Sequence, residues 1–300
     1  MIRFVKRQFS ISVKNLQFID RCPPPRFDTG CTYCSPPEFP QDKQIDFTKD
    51  LNGTKADHWK HLLVVSSETN VQWPSKIELS PGSLVGELTS LKRTLGSPFH
   101  PVMVSNVDFS PQDLGLEASD LDHDTHTVLL FPERKLVRFP RTHVESFFKK
   151  YLVPSRNSDQ EQDELAVQLP YNPFKKMEPR EVHVDTAEIV DTNFEESDFS
   201  RELVAICGHG SRDIRCGELA PLLKDEFTRV INHQGLDVSV GYISHIGGHA
   251  YAGNVIYFGP DGGRVWYGRV FPSKVQGVVE ETLMNGNVIK ELYRGEVPSS

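Results

Sequence analysis

The sequence predicts an α/β protein made of two similar units in tandem, each with the element order βαβββα. Two observations predict this class. Apolar runs of strand length alternate with amphipathic helical patterns along both halves of the 300-residue chain. The segment TVLLFPERKLVRFPRTHVESFF, which begins at Thr127, also matches the layout of NVIYFGPDGGRVWYGRVFPSKVQGVV, which begins at Asn254. Both contain an apolar strand, a Pro-containing turn, a second strand, a Phe-Pro step and an amphipathic helix, so we expect a repeat.

The individual elements follow from apolar periodicity and turn residues. In the first half we expect strands at 61–65, 102–107, 127–131 and 136–139, with helices at 83–95 and 142–152. In the second half we expect strands at 203–206, 238–243, 254–258 and 264–268, with helices at 218–233 and 273–284. Strand, helix and strand followed by a hairpin and a closing helix is the order of a thioredoxin-like unit, with a mixed sheet covered by helices.

These elements divide the chain into four segments. Residues 1–19 are predicted to be a mitochondrial presequence, and 20–155 a degenerate thioredoxin-like domain that carries an irregular, cysteine-containing arm. Residues 156–199 are polar, acidic and interrupted by proline, which is typical of a linker. Residues 200–300 form the second thioredoxin-like unit.

The N-terminal segment has the composition of a targeting sequence. It contains Arg3, Lys6, Arg7 and Lys14, and no acidic residue precedes Asp20. Apolar residues can line one side of a helix there, as in mitochondrial presequences. An ordinary basic tail is the alternative. We expect mitochondrial import, with the matrix favoured over the intermembrane space, and therefore contact with the import machinery.

Composition and charge argue against two classes of partner. No stretch approaches the roughly 20 consecutive apolar residues of a membrane span, so we expect no stable membrane insertion. The net charge is −8, and no basic stripe lies outside the first twenty residues. Because phosphate contacts require such a stripe, we expect no nucleic-acid partner.

Two pairs of metal-binding residue types lie in the second unit. Cys207 and Cys216 flank the loop CGHGSRDIRC after the first predicted strand, and His245 and His249 flank HIGGH after the next. Adjacent parallel strands would bring both loops to one end of the sheet. The sequence therefore predicts a site with four ligands, in which Cys216 closes its loop just before the helix.

Zinc and a [2Fe-2S] cluster both remain candidates for this site. Two cysteines and two histidines can bind structural zinc, but finger-type sites place about two to four residues between the cysteines and put the histidines on a helix. A [2Fe-2S] cluster has two irons that each need two protein ligands, and cysteines on one iron with histidines on the other is the Rieske-type arrangement. Replacing two thiolates with neutral imidazoles makes the centre less negative, which raises its reduction potential.

The segments CGHGSRDIRCG and HIGGHAYAGNVIYF resemble the fungal sucrase/ferredoxin-like family of thioredoxin-like ferredoxins. The resemblance is strong over about residues 200–290 and otherwise rests on layout. It implies a thioredoxin-like ferredoxin domain that holds a [2Fe-2S] cluster through Cys207, Cys216, His245 and His249. It also implies electron transfer in mitochondrial redox maintenance, with redox partner proteins and the cluster-assembly machinery as partners.

Other residues near the motifs are candidates for supporting roles. His209, Arg212 and Asp213 lie inside the cysteine loop and could orient it or tune the centre, although a solvent-facing histidine and ordinary ion pairs are the simpler interpretation. Cys31 and Cys34 form a C-x-x-C motif on the Pro- and Gly-rich arm rather than between a strand and a helix. We expect a redox-sensitive role outside the cluster; a regulatory disulfide, a docking clip and transient zinc binding stay open.

Three other functions compete with electron transfer. A thiol-disulfide oxidoreductase could use Cys31 and Cys34, or Cys207 and Cys216, and would need no metal. A Cys207-His hydrolase is the next alternative, although no oxyanion loop or orienting carboxylate can be assigned for it, and a structural zinc protein is the last. We expect an electron carrier rather than an enzyme with its own substrate.

Overall fold

The computed structural model of the chain describes residues 17–65, 68–117, 121, 124–154 and 194–298. The predicted presequence lies outside these residues except for its last three positions, and so does most of the predicted linker. In the part of the chain that is described, no helix combines the length and the apolar character that a membrane crossing requires.

The described residues form strands and helices in alternating order. The strands are β1 (Gln17–Ile19), β2 (Lys60–Val65), β3 (Val102–Asp108), β4 (Thr125–Phe131), β5 (Lys135–Pro140), β6 (Glu195–Asp198), β7 (Glu202–Cys207), β8 (Val238–Ile243), β9 (Val255–Phe258), β10 (Arg264–Tyr267), β11 (Asn287–Ile289) and β12 (Tyr293–Val297). The α-helices are α1 (Leu84–Thr94), α2 (Val144–Tyr151), α3 (Ile214–Gln234) and α4 (Pro272–Val278), and a π-helical segment (Val279–Met284) continues α4. Every strand and helix expected from the sequence is present, with small shifts at the ends.

One large sheet runs through both halves of the chain. Its strand order is β12-β10-β9-β7-β8-β3-β2-β4-β5-β6, and among these pairings β2/β3 and β7/β8 are parallel while the others are antiparallel. The two halves meet where β3 pairs with β8 through Val107↔Ile243 and Asp108↔Tyr242. The protein is therefore a mixed α/β protein with a mostly antiparallel sheet that is continuous across the two predicted units.

The order of pairing repeats in the two halves. In the first half the neighbours are β3, β2, β4 and β5, and in the second half they are β8, β7, β9 and β10. In each set the first pairing is parallel and the next two are antiparallel. This repetition agrees with the internal similarity seen in the sequence.

Strand alternation divides the apolar side chains of the first half between two cores. Leu62 and Val64 of β2 face a core closed by α1 and α2, whereas Leu63 and Val65 face a core shared with the second half. Successive side chains of a strand point to opposite faces, so a strand buried on both faces must be apolar throughout. The shared core joins β2 and β4 to the β7–β10 strands and to α3, which ties the halves together.

Some strands escaped the sequence analysis because each is short and takes its position from a distant partner. Gln17–Ile19, the last three residues of the predicted presequence, pair in parallel with β11. Glu195–Asp198, assigned to the linker, form an edge strand on β5. Exposed polar residues at such an edge show no apolar alternation, so periodicity could not reveal them.

The cysteine-containing arm lies against the second half, although the sequence placed it in the first domain. The side-chain amide of Gln276 in α4 accepts hydrogen bonds from the backbone N–H groups of Arg26 and Phe27. Glu226 of α3 accepts hydrogen bonds from the hydroxyls of Thr29 and Thr32. These contacts assign the arm to the layer of helices that covers the second half.

Candidate metal centre

The cysteine and histidine loops leave the sheet side by side. Cys207 is the last residue of β7, and its backbone is in register with Ile243, the last residue of the parallel neighbour β8. The carboxyl ends of parallel strands meet at the same edge of a sheet, so the following loops share that edge. His245 lies two residues beyond the end of β8. The expected meeting of the two motifs at one edge therefore follows from the pairing of β7 with β8.

Cys216 lies inside the first turn of α3 rather than just before the helix, as the sequence analysis had placed it. The helix begins earlier because Asp213 is its N-cap residue and accepts a hydrogen bond from the backbone N–H of Arg215. Gly217 also fits within this turn, since a Cβ atom there would lie 2.6 Å from the Cα of Gly210. The close approach of these two glycines folds the cysteine loop back on the helix.

The two cysteines face each other in the interior. Cys207 and Cys216 are 3% and 1% exposed, and both are free thiols. A hydrogen bond from the Cys216 thiol holds the pKa of Cys207 well below its usual range, and the same contact raises the pKa of Cys216. His245 also hydrogen-bonds Cys207 and lowers its pKa further. A pair of adjacent sulfurs beside an imidazole is a set of donors that suits a thiophilic metal.

The histidine pair lies on a loop that glycine makes possible. The rings of His245 and His249 stack with centroids 5.5 Å apart and planes at 29°. The two residues between the histidines, Gly247 and Gly248, have φ values of +81° and +74°, which residues with a side chain rarely adopt. The Nδ1 atom of His245 is buried without a hydrogen-bond partner, whereas His249 is exposed to solvent. An unpartnered buried nitrogen on one ring leaves a ligand position open there.

His209 braces the two loops and has no nitrogen free for a metal. Its Nδ1 atom accepts a hydrogen bond from the backbone N–H of His245 at 3.1 Å. Its Nε2 atom lies 3.0 Å from the carbonyl oxygen of Pro74, and a carbonyl can only accept. The ring is therefore neutral with its hydrogen on Nε2. Of the two interpretations given by the sequence, orientation of the site fits this contact and a solvent-facing ring does not, since His209 is 2% exposed.

Asp213 and Arg212 hold the cysteine loop by different contacts. Both carboxylate oxygens of Asp213 accept hydrogen bonds from the Arg215 guanidinium at 2.9 Å. These charge-assisted bonds are the main factor holding the pKa of Asp213 below its ordinary value against the opposing effect of burial. Arg212 donates to the carbonyl oxygen of Ser75 and lies 3.8 Å from Glu78. Arg212 thus ties the loop to the first half.

Arg294 is a supporting residue that the sequence analysis missed. It is 1% exposed and donates to the carbonyl oxygen of Gly247 and to the side-chain oxygen of Asn254. Burial lowers the pKa of Arg294 to about 10, and the nearby Cys207 thiolate partly opposes that shift. A Cβ atom on Gly248 would meet the guanidinium at 2.5 Å. No local pattern links Arg294 to the histidine loop, because β12 brings it there from a distant position.

The second cysteine pair, Cys31 and Cys34, lies on the N-terminal arm, and Cys31 contacts a more distant part of α3. Cys31 is buried, with its sulfur 3.9 Å from the carbonyl oxygen of Leu222, and its carbonyl oxygen accepts from the backbone N–H of Cys34 at 3.0 Å. Burial, aided by a hydrogen bond with Cys34, raises the pKa of Cys31 to about 12. A thiol with that pKa is almost never the thiolate nucleophile that disulfide exchange requires.

The four predicted ligands are thus brought to one sheet edge, but they do not surround one point. Within the described ranges, no three His, Cys, Asp or Glu side chains form a group able to hold a single metal ion. The thiols form one contact pair and the imidazoles another, and the two pairs meet where His245 hydrogen-bonds Cys207. The donor types fit either an iron-sulfur cluster or a zinc ion. These two centres need different arrangements of their ligands, so the arrangement in two pairs is a criterion for choosing between them.

The fold and this edge define a mixed α/β protein with a candidate Cys/His metal centre. The chain belongs to the sucrase/ferredoxin-like family, whose model matches residues 51–295. This match covers both halves of the sheet and all four predicted ligands. The resemblance seen in the cysteine and histidine segments is thereby confirmed at the level of the family.

Several curated fungal proteins are similar to this chain over nearly all of its length. Proteins named altered inheritance of mitochondria protein 32 from Meyerozyma guilliermondii and Debaryomyces hansenii are each 46% identical over 94% of this chain, covering 96% and 97% of their own lengths. The protein of that name from Kluyveromyces lactis is 28% identical over 88% of this chain and 82% of its own. No solved structure matches the chain.

Proposed function

We propose that this protein is a mitochondrial electron carrier that holds a [2Fe-2S] cluster through Cys207, Cys216, His245 and His249 and takes part in redox maintenance. The observation that carries the proposal is the parallel pairing of β7 with β8, which delivers a cysteine pair and a histidine pair to one sheet edge. Each iron of such a cluster needs two protein ligands, so two separate pairs meet its requirement.

The arrangement of donors favours a two-metal centre over a single zinc ion. A structural zinc ion needs its four donor atoms around one point at about 2.0 to 2.3 Å. In this protein the thiols contact each other, the imidazoles are neighbours, and His245 also contacts Cys207, so the donors form two adjoining pairs. Thiolates are the preferred ligands of iron-sulfur clusters, and imidazoles suit iron as well.

The environment of the pairs suits electron transfer to another protein. A bound cluster would supply the capacity to accept and release one electron. Burial of Cys207 and Cys216 shields the sulfurs from solvent, while the exposed ring of His249 lies where a partner protein can approach. The second nitrogen of an exposed imidazole can also exchange a proton, which would make the reduction potential depend on pH.

The repeated pairing order supports two tandem thioredoxin-like units, with a thioredoxin-like ferredoxin as the second. The name of these relatives refers to mitochondria, and the first residues of this chain have the composition of a presequence. We therefore place the protein in mitochondria, with the matrix favoured. Its partners would be the import and cluster-assembly machinery and a redox partner protein.

A thiol-disulfide oxidoreductase is the second candidate because the Cys207 and Cys216 thiols are in contact and the pKa of Cys207 is lowered. Their burial argues against it, since disulfide exchange requires an exposed sulfur for the partner's thiol to attack. This function would persist without metal.

Metal analysis separates these functions. We would measure iron, acid-labile sulfide and zinc in anaerobically purified protein, and in the variants Cys207→Ala and His245→Cys, with Cys34→Ala as a control cysteine outside the site. Two irons and two sulfides per chain, lost in Cys207→Ala and kept in Cys34→Ala, are expected. The absorption spectrum should shift in His245→Cys. One zinc per chain, or no metal together with disulfide exchange activity, would overturn the proposal.

A further inference from the structure

A second group of functional side chains lies inside the protein, away from the cysteine and histidine loops. It comprises His58 and His61 from the first half and Arg264 and Trp266 from the second, and we call it the internal cation cluster. All four side chains are at least nine-tenths buried. Each of the three rings lies close to the other two, with centroid distances of 5.2 Å for His58–His61, 5.7 Å for His58–Trp266 and 6.4 Å for His61–Trp266.

Arg264 belongs to the same cluster by strand geometry and by charge. It precedes Trp266 by two residues on β10, so both side chains lie on one face of the sheet. Its positive charge lowers the pKa of both His58 and His61, an effect second to burial for His58. The guanidinium therefore lies close enough to both imidazoles for its charge to act on them, and it shares one face of β10 with Trp266.

The polar atoms of this cluster are left without partners. All three guanidinium nitrogens of Arg264, the Nε1 atom of Trp266, the Nε2 atom of His58 and the Nδ1 atom of His61 are buried with no hydrogen-bond partner. Native proteins pair nearly all buried polar groups, because an unpaired neutral group is destabilising and an unpaired charged group is more so. So many unpaired atoms in one place indicate a missing binding partner.

Arg264 keeps its positive charge at neutral pH, and the nearby acid Glu133 makes no hydrogen bond to it. Burial lowers the pKa of Arg264 to about 10, which still leaves it protonated at neutral pH. Glu133 is the acid that acts on it, but its carboxylate pairs with Lys60 at 2.5 Å and makes no hydrogen bond to the guanidinium. A buried cation without a counter-ion is strongly unfavourable, so an anion is the partner that the site requires.

We propose that the internal cation cluster is a binding site for one small oxyanion, hydrogenphosphate, held by Arg264 and Trp266. The guanidinium presents a fork of N–H donors that matches two oxygens of a phosphate, and Trp266 adds another donor. His61 can add a third, because its Nε2 atom lies 3.0 Å from the Ser105 hydroxyl, which can donate to it and leave the hydrogen on Nδ1.

His58 selects among oxyanions because its free nitrogen is an acceptor. Its Nδ1 atom lies 2.8 Å from the carbonyl oxygen of Ala56 and must carry the hydrogen. Burial lowers the pKa of His58 to about 4, so the ring is neutral and its Nε2 atom needs a donor. Hydrogenphosphate has an O–H group to donate, whereas sulfate and carboxylates have none at neutral pH. The site therefore favours phosphate over sulfate.

The position of the site gives the anion a structural consequence. The cluster draws one pair of residues from each half of the protein, so a bound anion would join the two halves. Trp266 also faces Arg294, whose guanidinium carbon lies 5.7 Å from the ring centroid and which holds the carbonyl oxygen of Gly247. The cluster is closed to solvent, since none of its side chains is more than 8% exposed, and the ligand we propose is therefore the free anion rather than a phosphate ester.

Thermal unfolding of the full chain at pH 7 tests this proposal, with inorganic phosphate, sulfate or chloride added at equal ionic strength. We expect phosphate to raise Tm by several degrees in a saturable manner and sulfate to act less, while chloride and glycerol phosphate have no specific effect. In Arg264→Met the phosphate response should vanish, and in the surface control Arg201→Met it should remain. Arg264→Met should itself unfold at a higher temperature than the unchanged protein in phosphate-free buffer, because a buried cation is removed.

Two further measurements keep the test decisive if Arg264→Met does not fold. The variant Trp266→Phe removes one donor and should weaken phosphate binding measured by calorimetry. A phosphate assay of protein that is first equilibrated with excess phosphate and then gel-filtered and acid-unfolded should find close to one phosphate per chain. An equal Tm response in Arg264→Met and the unchanged protein, no phosphate response at all, or a stronger response to sulfate would each overturn the proposal.

Discussion

The Nδ1 atom of His209 accepts a hydrogen bond from the backbone N–H of His245, at 3.1 Å. One residue of the cysteine loop thus fixes the start of the histidine loop, and its other nitrogen fixes the ring to Pro74 in the first half. The relative position of the two proposed ligand pairs therefore depends on a buried side chain whose two ring nitrogens both make hydrogen bonds. Such supporting contacts hold ligands in the geometry that a metal centre requires.

Removing this acceptor should loosen the centre without removing a ligand. We expect His209→Leu to destabilise the protein by about 1 to 3 kcal/mol, because the backbone N–H of His245 is left buried without a partner. Cluster loss under air, followed by absorbance, should be several-fold faster. His209→Asn places an amide oxygen near the position of Nδ1 and should restore part of both properties. Equal cluster lifetimes in His209→Leu and the unchanged protein would show that His209 has no positioning role.

The sequence predicted the main strands and helices because each carries its own apolar period. It also predicted which loops meet, since parallel neighbours end at the same sheet edge. The continuity of the sheet across the halves was not predictable, because it depends on two residue pairs between β3 and β8 that no local pattern encodes. The roles of Arg294 and of the internal cation cluster could not be predicted for a similar reason. Their partners are distant in sequence, and a buried arginine on a strand gives the same pattern as an exposed one.

The charge of Arg294 should raise the reduction potential of the proposed cluster. Arg294 is buried, and the charges of Cys207 and Cys216 act on it. A nearby positive charge stabilises the more negative, reduced state of the cluster. Arg294→Met should therefore lower the reduction potential by about 40 mV, which corresponds to roughly 1 kcal/mol for a one-electron couple.

Arg294→Lys is the matched control, because it keeps the charge and loses the bonds to Gly247 and Asn254. Both variants should be less stable, but only Arg294→Met should show the full shift in a protein-film voltammetry measurement. A similar shift in both variants would assign the effect to loop geometry rather than charge.

Buried neutral histidines should make the protein less stable in mild acid. Burial lowers the pKa of His126 from 6.5 to about 4, with the Arg141 charge as a further cause. The unfolded chain takes up a proton below pH 6.5, whereas the folded protein does so only near pH 4. The stability contribution is therefore present above pH 6.5 and is lost as the pH falls toward 4.

The variant His126→Gln isolates this contribution from that of the other buried histidines. Between pH 7.5 and 5 the unchanged protein should lose up to about 2 kcal/mol more of its free energy of unfolding than the variant, in urea titrations at both pH values. The exposed Asn232 provides the control, since Asn232→Gln changes no titrating group and should leave the pH dependence unchanged. Parallel pH profiles for the unchanged protein and His126→Gln would contradict the prediction.

The docking of the N-terminal arm should control the reactivity of Cys31. The arm is held to α3 by the fully buried Glu226, which accepts a hydrogen bond from the Thr32 hydroxyl at 2.9 Å. While the arm is docked, Cys31 is buried with a pKa near 12, and alkylating reagents should modify the more exposed Cys34 much faster.

Thr32→Val removes the hydroxyl but keeps the shape, and it leaves the carboxylate of Glu226 with one partner fewer. We expect the arm to detach more often and Cys31 to be alkylated at least several-fold faster, as measured by mass spectrometry of time-quenched samples. The exposed Thr48→Val should leave both rates unchanged. If Cys31 already reacts as fast as Cys34 in the unchanged protein, the arm does not protect it and the pair is free to act as a thiol switch.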